Sequence, residues 1–163
     1  LYLEGIGASR SLMGYALTIG TVSEMAVFYF SDRLLRRWGR RRLLLFSVLV
    51  GSIRVLAYSW IDTPSLALAV QLLHGPSFAM LWVAGVSYAH ALAPPGLGAT
   101  AQAQFVGVNF GLGGATGALV GGVLYQNMGL ALMYRWAGVW LVVGLAVYML
   151  ADRRPTEPAY ASG

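Results

Sequence analysis

Apolar positions in this chain come in long unbroken runs, and polar positions collect between them. Five runs can be read, at 12–30, 43–60, 66–93, 105–125 and 132–151. Each reaches or exceeds the roughly 17–25 residues a helix needs to cross a hydrocarbon layer. None alternates with a period of two, so closed-barrel strands are excluded and helices remain. The pattern therefore predicts an all-α, polytopic membrane helix bundle with five transmembrane helices. The breaks are short: a basic segment at 32–42, a turn at 61–65 containing Pro64, the triplet Pro94-Pro95-Gly96, and a stretch at 126–134. Residues 152–163 are polar and carry Pro155 and Pro158, and a disordered tail is expected there. The chain thus reads as a membrane body at 1–151 followed by a tail at 152–163.

Composition agrees with a lipid solvent. Hydrophobic residues make up 58% of the 163-residue chain and charged residues 10%, and a soluble fold of this length cannot hide so much apolar surface. The net charge of +5 could suggest nucleic acid. The basic residues are all arginines, however, and six of them, Arg33, Arg36, Arg37, Arg40, Arg41 and Arg42, crowd one short segment. That is the pattern of a loop held on the cytoplasmic side, and no nucleic-acid partner is expected. Five crossings place Arg153 and Arg154 on the same side as that segment and leave Arg10 and Arg135 opposite. The expectation is a multi-pass cell-membrane protein with the basic segment and C-terminus cytoplasmic. Trp60, Tyr125, Tyr134 and Trp136 then fall near the outer ends of their spans, as interfacial aromatics do. The chain has no cysteine, and nothing in it calls for a cofactor or a metal. It opens on Leu1 with no basic segment ahead of an apolar one, so no signal peptide is read and a fragment of a larger protein is expected.

Three ionisable residues lie deep inside these runs: Glu24, Arg54 and His74. A charge near the bilayer centre costs about 2.5–3.5 kcal/mol on insertion scales, so such residues are rarely present without a partner or a task. Helix rise places the three at depths where they can share one cavity, with Glu24 and Arg54 as a charge pair and His74 beside them. Gln71, Ser77 and Asn109 are candidates to line the same cavity, or to serve as interhelical hydrogen-bonding groups. The structural alternative is that the charges simply satisfy one another. His90, near the end of its run, reads as interfacial. An intramembrane enzyme is set aside, because no second acid, serine–base pair or ligand cluster accompanies Glu24 and His74.

Glycine marks the fourth run. Gly113, Gly117 and Gly121 recur every four residues, and Gly107 and Gly111 form a second pair, a smooth stripe that lets another helix approach. The string 111–117 has glycine spacing like a dinucleotide-binding turn, but it sits inside an apolar run, not between a strand and a helix. In the basic segment, Asp32 can pair with an arginine and Gly39 permits a tight turn. Attraction to anionic lipid is an equally simple role for these arginines.

The segment Asp32, Arg33, Arg36, Arg37, Gly39-Arg40-Arg41 resembles the signature loop of the major facilitator superfamily. Leu73-His74-Gly75, Ala93-Pro94-Pro95-Gly96 with Thr100 and Gln102, and the glycine-rich run resemble its lactose-permease-like and phenylpropionate-permease-like branch. The resemblance covers nearly the whole chain. It implies that the five spans correspond to helices 8–12 of a twelve-helix transporter, an incomplete six-helix bundle whose partner is the missing N-terminal half. It also implies a substrate and proton role for Glu24 and proton coupling for Arg54 and His74. One position departs: Ser77 stands where those symporters place a carboxylate.

The expected function is thus that of a secondary active transporter fragment, not an enzyme. It moves a small organic solute by alternating access, coupled to protons, with Glu24, Arg54, His74, Gln71 and Asn109 around the solute. The alternative is a non-transporting membrane receptor or scaffold with the same fold.

Overall fold

The computed structural model describes residues 2–5 and 7–151. The expected tail at 152–163, with Arg153 and Arg154, lies outside the described residues. Within them the chain is all-helical, without a strand. A short α1 (Tyr2–Gly5) precedes α2 (Arg10–Tyr29), whose first turn is capped by Ser9 accepting the Leu12 N–H at 3.3 Å. Then come α3 (Ser31–Tyr58), α4 (Pro64–Gln71), a π-helical turn (Gly75–Ala79), α5 (Met80–Leu92), α6 (Gly98–Val106), a π-helical stretch (Gly107–Gly113) and α7 (Gly114–Ala151).

Three stretches are long and apolar enough to cross a membrane by length and composition: Arg10–Tyr29, Pro64–Leu92 and Gly98–Leu150. The expected second span is the part of α3 beyond Gly39, and the expected fourth and fifth lie on either side of Gly129. Both glycines break their helix with positive φ, Gly39 at 74° and Gly129 at 77°. No L side chain adopts that conformation readily, which is why the breaks fall there.

The basic segment differs from the loop expected at 32–42. It is helical up to Gly39 and helical again beyond it. Nothing before Gly39 opposes a helix, and the Asp32–Arg36 ion pair spans one helical turn.

The core lies where α2, α3 and α5 meet. Val27, Leu43, Ala79, Met80 and Ala84 are buried together, with Leu34, Leu35, Trp38, Leu44 and Val83 packed against them. The basic segment is therefore amphipathic: its apolar side folds onto the core while arginines face outward. The limb of α7 beyond Gly129 packs on α3, so closely that a Cβ at Gly138 would overlap the Leu56 side chain. Serines buried at this centre return their hydroxyls to their own helix, Ser47 to the Leu44 carbonyl at 2.7 Å and Ser52 to the Val48 carbonyl at 2.8 Å. That removes any need for a partner on another helix and leaves a small, smooth surface. Elsewhere large apolar side chains face outward in number, among them Leu17, Met25, Leu112 and Leu119, each more than 60% exposed. A surface so apolar suits lipid, not water.

Candidate functional site

The helix carrying His74 is irregular on both sides of it. Leu72 and Leu73 donate to the Ala69 and Val70 carbonyls, three residues back, so the helix tightens after Gln71. It then widens: the Met80 N–H reaches the Gly75 carbonyl, five residues back. Pro76 lies in this turn and has no N–H to give. The Gly75 N–H is taken from outside the helix, by Ser23 Oγ of α2 at 2.8 Å. Contact there is backbone to backbone, since a Cβ at Gly75 would overlap the Ser23 carbonyl. One turn earlier on α2, Gly20 lies beside the imidazole, where an added Cβ would be in ordinary contact with the ring. The His74 ring also stacks on Phe78, parallel within 1° at 5.4 Å.

So held, His74 places Nε2 2.5 Å from Glu24 Oε1. Arg54, from α3, does not pair with Glu24 as expected. Its Nη2 donates to Gln71 Oε1 at 3.1 Å, and its guanidinium lies 5.8 Å from the Tyr58 ring centre. Gln71 presents its side-chain carbonyl to α3, where Arg54 meets it, while His74 turns to α2 and takes Glu24. Arg54 and His74 each keep one buried nitrogen, Nε and Nδ1, without a protein partner among the described residues. All four side chains line one cavity of about 370 Å³, with Leu17, Gly20 and Thr21 of α2 in its wall. Buried polar atoms left open beside a cavity are what a polar solute or ordered water would satisfy.

Glu24, Arg54, His74 and Gln71 are therefore brought together. Ser77 is not in this cavity. It is buried toward Gly51 of α3, and its hydroxyl donates to the Leu73 and His74 carbonyls at 2.7 and 3.1 Å. Asn109 is apart as well. It lies on the π-helical stretch, donates to the Phe105 carbonyl at 3.0 Å, and lines a separate cavity of about 160 Å³ with Phe78, Trp82, Phe105 and Phe110. Phe78 stands between the two cavities. Gly75 is marked in the sequence only as part of Leu73-His74-Gly75, and Ser23 and Gly20 carry no signal there; the Gly75-Pro76 pair inside an apolar run is what points to a distorted helix.

The remaining candidates lie elsewhere. Asp32 and Arg36 pair on the exposed side of the basic segment, while Arg33 and Arg37 turn toward Trp38. Arg40 and Arg41 are half-buried beyond Gly39. The glycine stripe meets almost nothing: a Cβ at Gly107, Gly111 or Gly117 would have no neighbour within 4 Å, at Gly113 it would touch only the Val108 carbonyl of its own stretch, and at Gly121 only Met133. A helix packs against that stripe nowhere among the described residues, except where Met133 reaches Gly121.

What the cavity offers is a proton site and a set of donors. Glu24 and His74 are close enough to share one proton, and Arg54 and the Gln71 amide can donate to a carboxylate or hydroxyl oxygen.

The family described as MFS_1 like matches residues 1–136. The chain is 25% identical over 150 residues to major facilitator superfamily domain-containing protein 6-like protein A of Xenopus laevis, covering 92% of this chain and 25% of that protein. It is 29% identical over 154 residues to the maltose permease of Geobacillus stearothermophilus, covering 94% of this chain and 39% of that protein. It is 29% identical over 161 residues to the probable 3-phenylpropionic acid transporter of Escherichia coli (strain K12), covering 95% and 39%. The chain therefore spans well under half the length of these relatives. No solved structure matches it significantly.

Proposed function

We propose, from the premise that this chain belongs to the MFS_1 like family of the major facilitator superfamily, that it forms the C-terminal half of a secondary transporter moving a small organic solute together with a proton. Five crossings are part of this reading: the breaks at Gly39 and Gly129 divide α3 and α7 into limbs, and each limb beyond its break repeats an apolar run. The positive-inside bias puts the basic segment in the cytoplasm. The missing N-terminal half supplies the opposite wall, and the two halves rock about a midplane site.

One observation carries the proposal: Glu24, His74, Arg54 and Gln71 converge on one cavity, with Glu24, His74 and Gln71 inside two of the stretches able to cross a membrane and Arg54 on α3 between them. An acid against an imidazole there can bind a proton, while the guanidinium beside it holds an anionic or hydroxyl-rich solute. Loading the solute changes the field at the Glu24–His74 pair, and that is how the two cargoes are coupled. Ser77 offers no carboxylate where the related symporters have one, so this reading assigns the proton to Glu24, the acid that lines the cavity, rather than to a group in the missing half. The relatives named for maltose and for 3-phenylpropionic acid set the first solutes to try, a sugar and an aromatic acid.

The test is uptake by the full-length protein in proteoliposomes under an imposed proton gradient. Glu24→Gln is expected to abolish gradient-driven accumulation while leaving solute exchange. Unchanged accumulation would remove Glu24 from coupling. If wild type shows no flux with either solute, and Glu24→Gln and Arg54→Leu only lower the melting temperature, the receptor or scaffold reading takes over.

A further inference from the structure

A second cavity, of about 520 Å³, opens at the basic segment, away from the Glu24–His74 site. Its floor is Val27 and Met80, both 8% exposed and both members of the core. Phe30 and Trp38 form walls, and Arg33 and Arg37 stand at the rim. The two arginines are four residues apart on one helix, so their guanidiniums lie on the same face, one turn from each other. Asp32 is committed to Arg36. Neither Arg33 nor Arg37 has an ion pair or hydrogen bond among the described residues.

The cavity is thus two-natured. Two unneutralised guanidiniums border an apolar slot that reaches from the helix ends to Met80, well inside the Pro64–Leu92 stretch. A free phosphate would satisfy the rim and leave the floor uncovered. A hydrocarbon alone would satisfy the floor and leave the arginines bare. A molecule with an anionic head and an acyl chain satisfies both. Trp38, with its apolar body on the core and its ring at the basic rim, sits as interfacial aromatics do.

We infer that this cavity is a binding site for an anionic phospholipid, whose phosphodiester is held by Arg33 and Arg37 and whose acyl chain lies against Val27, Phe30 and Met80. The site lies where the basic segment folds onto the α2–α5 core, so occupancy ties that segment to the bundle.

The test is native mass spectrometry of the full-length protein, with phosphatidylglycerol competing against phosphatidylcholine. The wild type is expected to retain phosphatidylglycerol preferentially. Arg33→Gln/Arg37→Gln should cut that preference on the order of 30-fold, the combined effect of two interfacial arginines. Ala26→Trp fills the slot without changing charge and should lose the lipid as well, which keeps the test open if the double variant fails to fold. Arg40→Gln/Arg42→Gln removes the same charge outside the cavity, leaves the Asp32–Arg36 pair in place and should keep the preference. Equal loss in both arginine pairs would reduce the effect to diffuse surface charge and overturn the site. Displacement of the lipid by excess inorganic phosphate would reassign it to a free anion. Cross-linking of Ala26→Cys to another segment of the same chain would show that protein, not lipid, fills it.

Discussion

Two stretches of this chain widen into π-helical turns, Gly75–Ala79 and Gly107–Gly113, and both do so at glycines within apolar helices. Their surroundings differ. At the first, Gly75, Ser77 and Ala79 are buried, a neighbouring helix supplies a hydrogen-bond acceptor, and the distortion turns His74 onto Glu24. At the second, every residue is exposed, and the Asn109 amide bonds back to its own helix. A bulge becomes part of a site when other elements hold it in one shape. Glycine content alone makes the helix deformable without saying what it is deformed for.

The sharpest way to break this contrast is to add one methyl group to each place. Gly75→Ala puts a Cβ into the Ser23 carbonyl, and backbone cannot step aside as a side chain can. A loss of about 1–3 kcal/mol, the range for overpacked cores, is expected, together with lost uptake because the His74 seat moves. Gly138→Ala overlaps side-chain atoms of Leu56, with the Leu56 backbone nitrogen only in ordinary contact at 3.5 Å, so it should cost less than Gly75→Ala, within that range. Thermal unfolding of the full-length protein in detergent ranks the two. If Gly138→Ala proves the worse, close approach of α2 to the π turn is not what holds the site.

Ser23→Ala comes next. It removes the acceptor of the Gly75 N–H and should cost about 1 kcal/mol, as a lost internal hydrogen bond does. Its effect on uptake should exceed its effect on stability, because the bond sets where His74 stands. A mutant with normal solute exchange but weakened gradient-driven accumulation would support that; proportionate loss of both would make Ser23 a packing residue alone.

The sequence exposes the ingredients of the first region better than their arrangement. Glu24, Arg54 and His74 stand out because ionisable groups in apolar runs are rare, and they do share a cavity with Gln71. Depth follows from residue counting, but the direction each side chain faces does not. Counting alone therefore pairs Arg54 with Glu24, although its acceptor is Gln71, and draws Ser77 and Asn109 into a cavity they do not line. The turn at Gly39 is legible because only glycine takes that backbone; the helix running through Asp32–Arg37 is not, since its arginines read as a loop until Leu34, Leu35 and Trp38 are seen packed on the core. The boundary between the last two runs fares similarly. Gly129 breaks α7, yet the hydrogen bonding on either side continues, so no separate loop is visible where one was expected at 126–134.

Gly111→Ala has the smallest expected effect and the most to say about the second region. A Cβ there meets nothing within 4 Å, so no clash opposes it. Helix propensity alone favours alanine over glycine by about 1 kcal/mol, and the widened turn at this point offsets part of that gain. The net change in the melting temperature of the full-length protein should be near zero or slightly positive, the opposite sign to Gly75→Ala. A clear loss would mean that this face, open among the described residues, is covered in the whole protein by a helix approaching as closely as α2 approaches Gly75. The two π-helical turns would then be alike after all, one closed within this chain and the other closed by a segment beyond the described residues.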